Sequence, residues 1–353
     1  MRHIDLQTAS IPRSMAVFHA IGEGAGQNDE ITLVTVKPAG AFVSVGYHQL
    51  ASREIRADYC RARKIPVCRR MVGGGAVLLD PGQIFWHLIL PGARAAIHDL
   101  YAALLPAPVS AYRRMGILAE ARSLNDIVVG QKKIGGTGAA TLGQSLIFVG
   151  SLMFDFDRDL MTNVLNVPSE KFRDKMVQSL KDYMTTIHDE LADRAPSQQE
   201  AVGLLVEEFS QLLDSPVHKD TLTDKEEQLS EHFEHTLFDP SFVFQDEGWF
   251  EERVKIRDGV YLYEGLAKAP GGLVRAIWQD DHGIVKDAWI GGDFTLEPSR
   301  ALDVLKERWK GQPTDLGVLR LRTEEVFAEL GIAGLTVDDV MAAFARPERM
   351  VGP

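Results

Sequence analysis

The stretch Arg69-Arg70-Met71-Val72-Gly73-Gly74-Gly75-Ala76-Val77 decides how this chain is read. A second stretch, Asn125-Asp126-Ile127-Val128-Val129 followed by Lys132-Lys133-Ile134-Gly135-Gly136-Thr137-Gly138, is read with it as one site. In both, cationic side chains stand beside glycines. Glycine takes φ > 0 at little cost and lets backbone N–H groups come close to a ligand. Such loops suit an anion flanked by something flat or thin. The glycines alone leave an ordinary turn open, because Gly73–Gly75 fit neither the P-loop nor the GxGxxG spacing. Arg69 and Arg70 favour the anion, since two adjacent guanidiniums at a strand end are costly to cover unless an anion pairs with them. Solvation at the surface is the plainer alternative. Lys133, next to Gly135, Gly136 and Gly138, has the same character, with simple exposure as its alternative. Asp126 either holds a metal–phosphate complex or ends a strand with its side chain in a turn.

Other chemistry-bearing motifs are missing: there is no GxSxG, no HExxH and no CxxC pair. His87, inside an apolar strand, reads as a core histidine. Cys60 and Cys68 are too few for a disulfide framework and read as reduced, buried residues.

The 353 residues are long for one core and comfortable for two. A hydrophobic content of 45% with 25% charged residues is that of an ordinary globular protein. A net charge of −12 argues against general affinity for nucleic acid or an anionic membrane, both of which need clustered Lys and Arg. No apolar run reaches the roughly 18 to 20 residues that span a bilayer, and the opening MRHIDLQTAS lacks an apolar stretch. A cytoplasmic protein is expected.

Working outward from the first stretch, residues 65–69 read as a strand entering the glycines, with an amphipathic helix at 54–64 before it. Residues 76–79 and 84–90 (IFWHLIL) read as a hairpin across the turn Asp80-Pro81-Gly82-Gln83. Residues 14–22 read as an early helix, 31–36 and 41–45 as strands, and 100–117 as helix interrupted by Pro106 and Pro108. Residues 124–129 and 133–134 read as strands around a Gly130-Gln131 turn, 145–156 as a strand, and 167–189 and 197–213 as helices. Beyond a charged stretch, strands are expected at 249–257, 273–278 and 284–290, the last two joined at Asp281-His282-Gly283. Helices are expected at 299–309, 322–330 and 337–345. The pattern predicts α+β architecture: a catalytic domain over 1–215, a linker over 216–231 and a smaller α+β domain over 232–350.

The order Arg-Arg-x-x-Gly-Gly-Gly-Ala-Val, Asn125-Asp126 and Lys133-Ile134-Gly135-Gly136 resembles the lipoate–protein ligase family, which has the mixed sheet of the biotin/lipoate ligase fold. Ser14-Met15-Ala16 and Val45-Gly46-Tyr47-His48-Gln49 are similar to further family motifs, as are Val167-Pro168 with Lys171 and Lys175. Leu273-Val274-Arg275 and Asp287 to Phe294 resemble an accessory C-terminal domain carried by some of these ligases.

The resemblance implies activation of lipoic acid (or octanoate) with ATP and Mg²⁺ to an acyl-AMP, then transfer to a lysine of a lipoyl carrier protein, a lipoyl domain or an H-protein-like carrier, by a monomer. It assigns Lys133 as the catalytic cation and Arg70 as the ligand of phosphate or the acyl carboxylate. Gly73, Gly74, Gly75, Ala76 and Val77 would be bare backbone for acyl chain and adenylate, as would Gly135, Gly136, Thr137 and Gly138. Asn125 and Asp126 would face pyrophosphate or Mg²⁺. Val72, Leu79, Gly135 and Phe148-Val149 stand where the family usually carries Ser, His, Ser and a His pair, so hydroxyls and imidazoles are lost. A divergent ligase is expected; the alternatives are an octanoyltransferase of the same fold and a non-catalytic protein that binds an acyl-adenylate or a lipoylated partner. The Gly-Arg-Gly-Arg loop of biotin ligases is missing.

Overall fold

The computed structural model describes residues 1–95, 97–122, 124–166, 178–179, 182–247 and 260–350. Most of the helix expected at 167–189, with Val167, Pro168, Lys171 and Lys175, and the strand expected at 249–257 lie outside the described residues. Two compact units divide the chain. One comprises Met1–Val45, Glu54–Val72 and Ala76–Val243; the other comprises Gly46–Arg53, Gly73–Gly75 and the chain from Phe244 onward.

The first unit holds eleven of the described strands: β1 (Arg2–Ala9), β2 (Thr32–Pro38), β3 (Phe42–Val45), β4 (Val67–Arg69), β5 (Val77–Leu79), β6 (Gln83–Pro91), β7 (Ala119–Arg122), β8 (Asp126–Val129), β9 (Lys132–Leu142), β10 (Ser145–Met153) and β11 (His218–Lys219). Eight form one mixed sheet in the order β11-β1-β2-β6-β10-β9-β8-β7, and β4-β3-β5 form a small second sheet. The strand IFWHLIL explains the layering. Its alternate residues Ile84, Trp86, Leu88 and Leu90 enter a core with Tyr101, Tyr112, Phe148 and Phe209. Phe85 and Ile89 enter another with Phe18, Phe42 and Ile147. A strand buried at every position, apolar but for His87 between its two ends, is one whose sheet is covered on both faces.

Helix Ile11–Gly24, capped by Ser10, covers the second face, together with helix Asp224–Thr236. Helix Pro106–Arg114 and helix Gln198–Leu212 cover the first. Pro106 and Pro108 fall in the first turn of their helix, where a missing N–H costs nothing.

Two expectations are corrected. Strands β5 and β6 are not a hairpin: β5 pairs with β3 in the small sheet and β6 with β2 and β10 in the large one. The Asp80 turn carries the chain between sheets. Asp80 accepts from the N–H groups of Gly82 (2.9 Å) and Asp157 (3.0 Å), and its burial pushes its pKa up. Residues 216–231, expected as a linker, supply β11 and much of helix Asp224–Thr236, both part of the first unit.

In the second unit the sheet order is β14-β13-β12-β15, with β12 (Val260–Ala269), β13 (Gly272–Asp281), β14 (Ile284–Gly292) and β15 (Glu348–Arg349). The β13–β14 hairpin turns at His282 and Gly283, both at positive φ, as its sequence predicts. Helices Ala301–Trp309, Leu316–Leu330 and Val337–Ala345 pack against it around Trp278, Trp309 and Phe344. The α+β class is as expected.

Candidate active site

Strands β8 and β9 pair antiparallel around Gly130, whose φ of 58° makes the tight turn. A register shift between Ile127 and Val128 lies opposite the segment that carries Lys133. Lys133 is half-exposed, and its Nζ lies 2.5 Å from Asp126 Oδ1. Asp126 pairs across the ladder with Gly136, and a Cβ built on Gly136 would meet Lys133 Nζ at 2.9 Å and Cε at 3.1 Å. Gly136 is therefore the floor over which the lysine side chain lies. Asn125 and Thr137 hold each other: Thr137 Oγ1 donates to Asn125 O (3.0 Å) and Asn125 Nδ2 to Thr137 O (3.2 Å).

Gly135, Gly136 and Gly138 lie inside β9, not in the anion-binding loop the sequence suggests. The strand pairs with β8 up to Gly136 and with β10 from Thr137 onward, so each of these glycines has one edge of its backbone in a ladder. The glycines give close approach instead. A Cβ on Gly138 would sit 3.1 Å from Val72 Cγ1 and 3.3 Å from Val149 Cγ2. Through this contact the residue after Arg70-Met71 rests on the strand that begins with Lys132 and Lys133. The two sequence-distant motifs thus meet at Val72 and Gly138.

The paired arginines have different fates. Arg69 is buried and donates to the carbonyls of Phe242 (3.0 Å from Nε) and Val243 (2.6 Å from Nη2), so main-chain oxygens take part of its donor capacity. Arg70 donates to Ser44 O (3.0 Å) and Ser44 Oγ (3.3 Å). Burial lowers its pKa to about 10, leaving it cationic at neutral pH in surroundings that penalise charge. Its backbone N–H donates to Val45 O (3.1 Å), and that of Met71 donates to His19 Nε2 (3.0 Å). Sequence reading did not single out His19; a lone imidazole in the apolar helix SMAVFHAIG was its only signal.

Gly73, Gly74 and Gly75 belong to the second unit, where Gly74 N–H donates to Phe294 O (3.3 Å). A Cβ on Gly73 would strike Phe294 O at 2.4 Å, and Gly74 has a φ of 93°. Ala76 returns to the first unit and leads into Val77, which pairs with Ser44. His87 is a core residue, stacked on Phe18 at 4.2 Å, with burial lowering its pKa to about 3. Among the described residues no three His, Cys, Asp or Glu side chains group to hold a metal. Asp126 is paired with Lys133, and a single carboxylate holds Mg²⁺ only together with phosphate oxygens and water.

Residues 11–210 match the family model described as the lipoyl protein ligase A/B catalytic domain, which covers more than half of the chain. The chain belongs to this family. Among ligase A/B relatives, lipoate-protein ligase A subunit 1 of Thermoplasma acidophilum is 30% identical over 214 residues, 58% of this chain and 79% of that one. Octanoyltransferase LipM of Brevibacillus brevis is 26% identical over 267 residues, 67% of this chain and 95% of its own.

Solved structures agree on the fold. A bi-partite lipoate protein ligase of Thermoplasma acidophilum, described with its E2 lipoyl domain, superposes with a TM-score of 0.64 at 28% identity, covering 69% of this chain and 95% of that one. A lipoate-protein ligase A bound with ATP gives 0.60 at 25% identity, covering 69% and 98%. LipL1 of P. falciparum gives 0.70 over 94% of this chain and 98% of its own, at 13% identity, a likeness of fold alone. The chain thus has the lipoate ligase fold, as its motifs imply. No helix among the described residues is long and apolar enough to cross a membrane.

Proposed function

We propose that the protein is an ATP-dependent ligase that activates lipoate or octanoate to an acyl-AMP and transfers the acyl group to a lysine of a lipoyl carrier protein. The observation that carries this reading is the Val72–Gly138 contact, which puts the Arg70 turn against the strand of Lys133. In the first step a carboxylate oxygen attacks the α-phosphorus, and the bond to the β-phosphate oxygen breaks to release pyrophosphate. Anionic groups converge there, so fixed cations lower the barrier. Lys133 exchanges Asp126 for the carboxyl and α-phosphate oxygens, and Arg70 supplies the second positive charge. In the second step the carrier amine attacks the acyl carbonyl, loses a proton, and AMP leaves with the electrons of the C–O bond. The Thermoplasma ligase described with its lipoyl domain and the relative bound with ATP support this choice of carrier and nucleotide.

The similarity to LipM motivates the rival reading, acyl transfer without ATP. A cysteine route is poorly served here, because Cys60 and Cys68 are both buried and burial pushes the Cys68 thiol up to about 12. Incubation with ATP, Mg²⁺ and lipoate, followed by mass analysis for lipoyl-AMP and assay of pyrophosphate, separates the readings. The ligase yields both products. A protein that yields neither, yet moves octanoyl from one carrier to another, is the transferase; one that yields neither and moves nothing is the binding protein.

A further inference from the structure

His19 makes two hydrogen bonds that fix its chemistry. Nδ1 lies 2.7 Å from Met15 O, which can only accept, so Nδ1 carries the proton. Nε2 lies 3.0 Å from the Met71 nitrogen, which can only donate, so Nε2 is the bare acceptor. A ring protonated at both nitrogens would set N–H against N–H. The imidazole is fully buried, tilted against Phe18 at 3.9 Å and Phe233 at 5.7 Å, and so held without freedom to turn. The atom it holds is the nitrogen of the Arg70–Met71 peptide. Arg70 is pinned one residue earlier by its own N–H on Val45 O. Two successive N–H groups, one anchored to a strand and one to a helix, leave that turn a single course.

We infer that His19 is a positioning residue: its Nε2 fixes the Met71 peptide and thereby aims the Arg70 guanidinium and the Val72 side chain at the acyl-phosphate site. The inference rests on the ligase reading for what Arg70 binds, but not for the geometry. An imidazole that merely filled the core would be replaceable by another ring of similar size. A positioning acceptor is replaceable by another acceptor.

The experiment compares full-length His19→Phe, which keeps the ring, with His19→Gln, whose Oε1 can reach the Met71 N–H. Acyl-AMP formation is measured with ATP and lipoate each varied, alongside hydrogen exchange at the Met71 amide and the unfolding midpoint. The expected result is a folded Phe variant with KM raised about tenfold, kcat changed less, and faster exchange at Met71, while Gln returns both to within about threefold of the unaltered protein. A folded Phe variant with unchanged KM and unchanged Met71 exchange overturns the inference, and so does a Gln variant as impaired as Phe. Should Phe fail to fold, His19→Asn, which can reach Met15 O but not Met71, takes its place under the same criteria. If the unaltered protein makes no acyl-AMP, the ligase reading fails by itself and Met71 exchange in the variants still decides the role of His19.

Discussion

Lys133 has both a counter-ion and a floor, and each can be removed separately. Lys133→Ala deletes the charge proposed to meet the carboxyl and α-phosphate; a loss of about 3–4 kcal/mol in the transition state is expected, at least a hundredfold in rate, with the fold kept. Near-normal turnover would remove Lys133 from the mechanism. Gly136→Ala tests the floor: the new Cβ meets the mobile end of Lys133, so the ammonium shifts while the backbone holds. Activity should fall about tenfold with the unfolding midpoint nearly unchanged; a drop in midpoint without loss of rate would count against the geometry. Buried imidazoles set a pH dependence. Burial lowers the pKa of His3, and takes His19 and His87 from the ordinary 6.5 to about 4 and about 3. These rings are neutral in the native state and take up protons more readily when unfolded. Their stabilisation is complete above pH 6.5 and is lost as the pH falls towards 4 and then 3, roughly 3–5 kcal/mol for each of the latter two. The urea midpoint should therefore already fall between pH 6.5 and 5, above most carboxylate titration, and His87→Phe should flatten that slope; a flat profile in the unaltered protein would show that these rings stay solvated. At this scale sequence identified the charges but not their partners. Nothing local to Arg69-Arg70 tells that one guanidinium donates to the carbonyls of Phe242 and Val243, more than 170 positions away.

Among elements, the β2–β6–β10 core of the large sheet was legible, while β9 was read as strand only at residues 133–134 and the edges were not seen. IFWHLIL and SLIFVGSLM are apolar enough to demand burial, and the capping box of Ser197 with Glu200 marks its helix start. β1 was missed because Arg2, Asp5 and Gln7 break its apolar pattern, and β7 because AEAR is short and mostly polar. The supposed β5–β6 hairpin failed for a physical reason: Asp-Pro-Gly encodes a turn, but which sheet receives each arm depends on distant pairing. The same dependence makes Gly150 critical. It lies in β10 opposite Trp86, and a Cβ there would stand 2.3 Å from the indole, which is fully buried. Neither the ladder nor the ring can yield. Gly150→Ala should lower stability by about 1–3 kcal/mol, read as an earlier denaturation midpoint and a perturbed tryptophan fluorescence. An unchanged midpoint would mean that the Trp86 ring has room to move.

For the whole molecule, composition and length pointed to two bodies, while the place of division was obscured by charge. Residues 216–231 look like a tether because they are polar, yet helix Asp224–Thr236 turns its few apolar groups inward. Phe233 and Leu237 join the core with Phe18 and Phe42. Arg2 pairs with Glu226 and Arg13 with Glu227, so the N-terminal strand and helix are fastened to the same segment. A chain ending at Leu213 would also lose β11 and both carbonyl partners of Arg69. Losing two buried apolar side chains, at about 1.5–3 kcal/mol each, is comparable to the entire stability of many domains. A fragment of residues 1–243 keeps both of the first unit's cores and should unfold cooperatively; residues 1–213 should not. The longer fragment still lacks Phe294, the partner of Gly74, and Trp289, which packs with Leu50. With the glycine turn unsupported, it is expected to bind preformed lipoyl-AMP while making little from ATP and lipoate. Calorimetry decides the first point: a sharp, cooperative transition in residues 1–213 would show that helix Asp224–Thr236 is dispensable to the core. Single-turnover adenylation decides the second, and full activity in residues 1–243 would show that the turn keeps its course without the C-terminal chain.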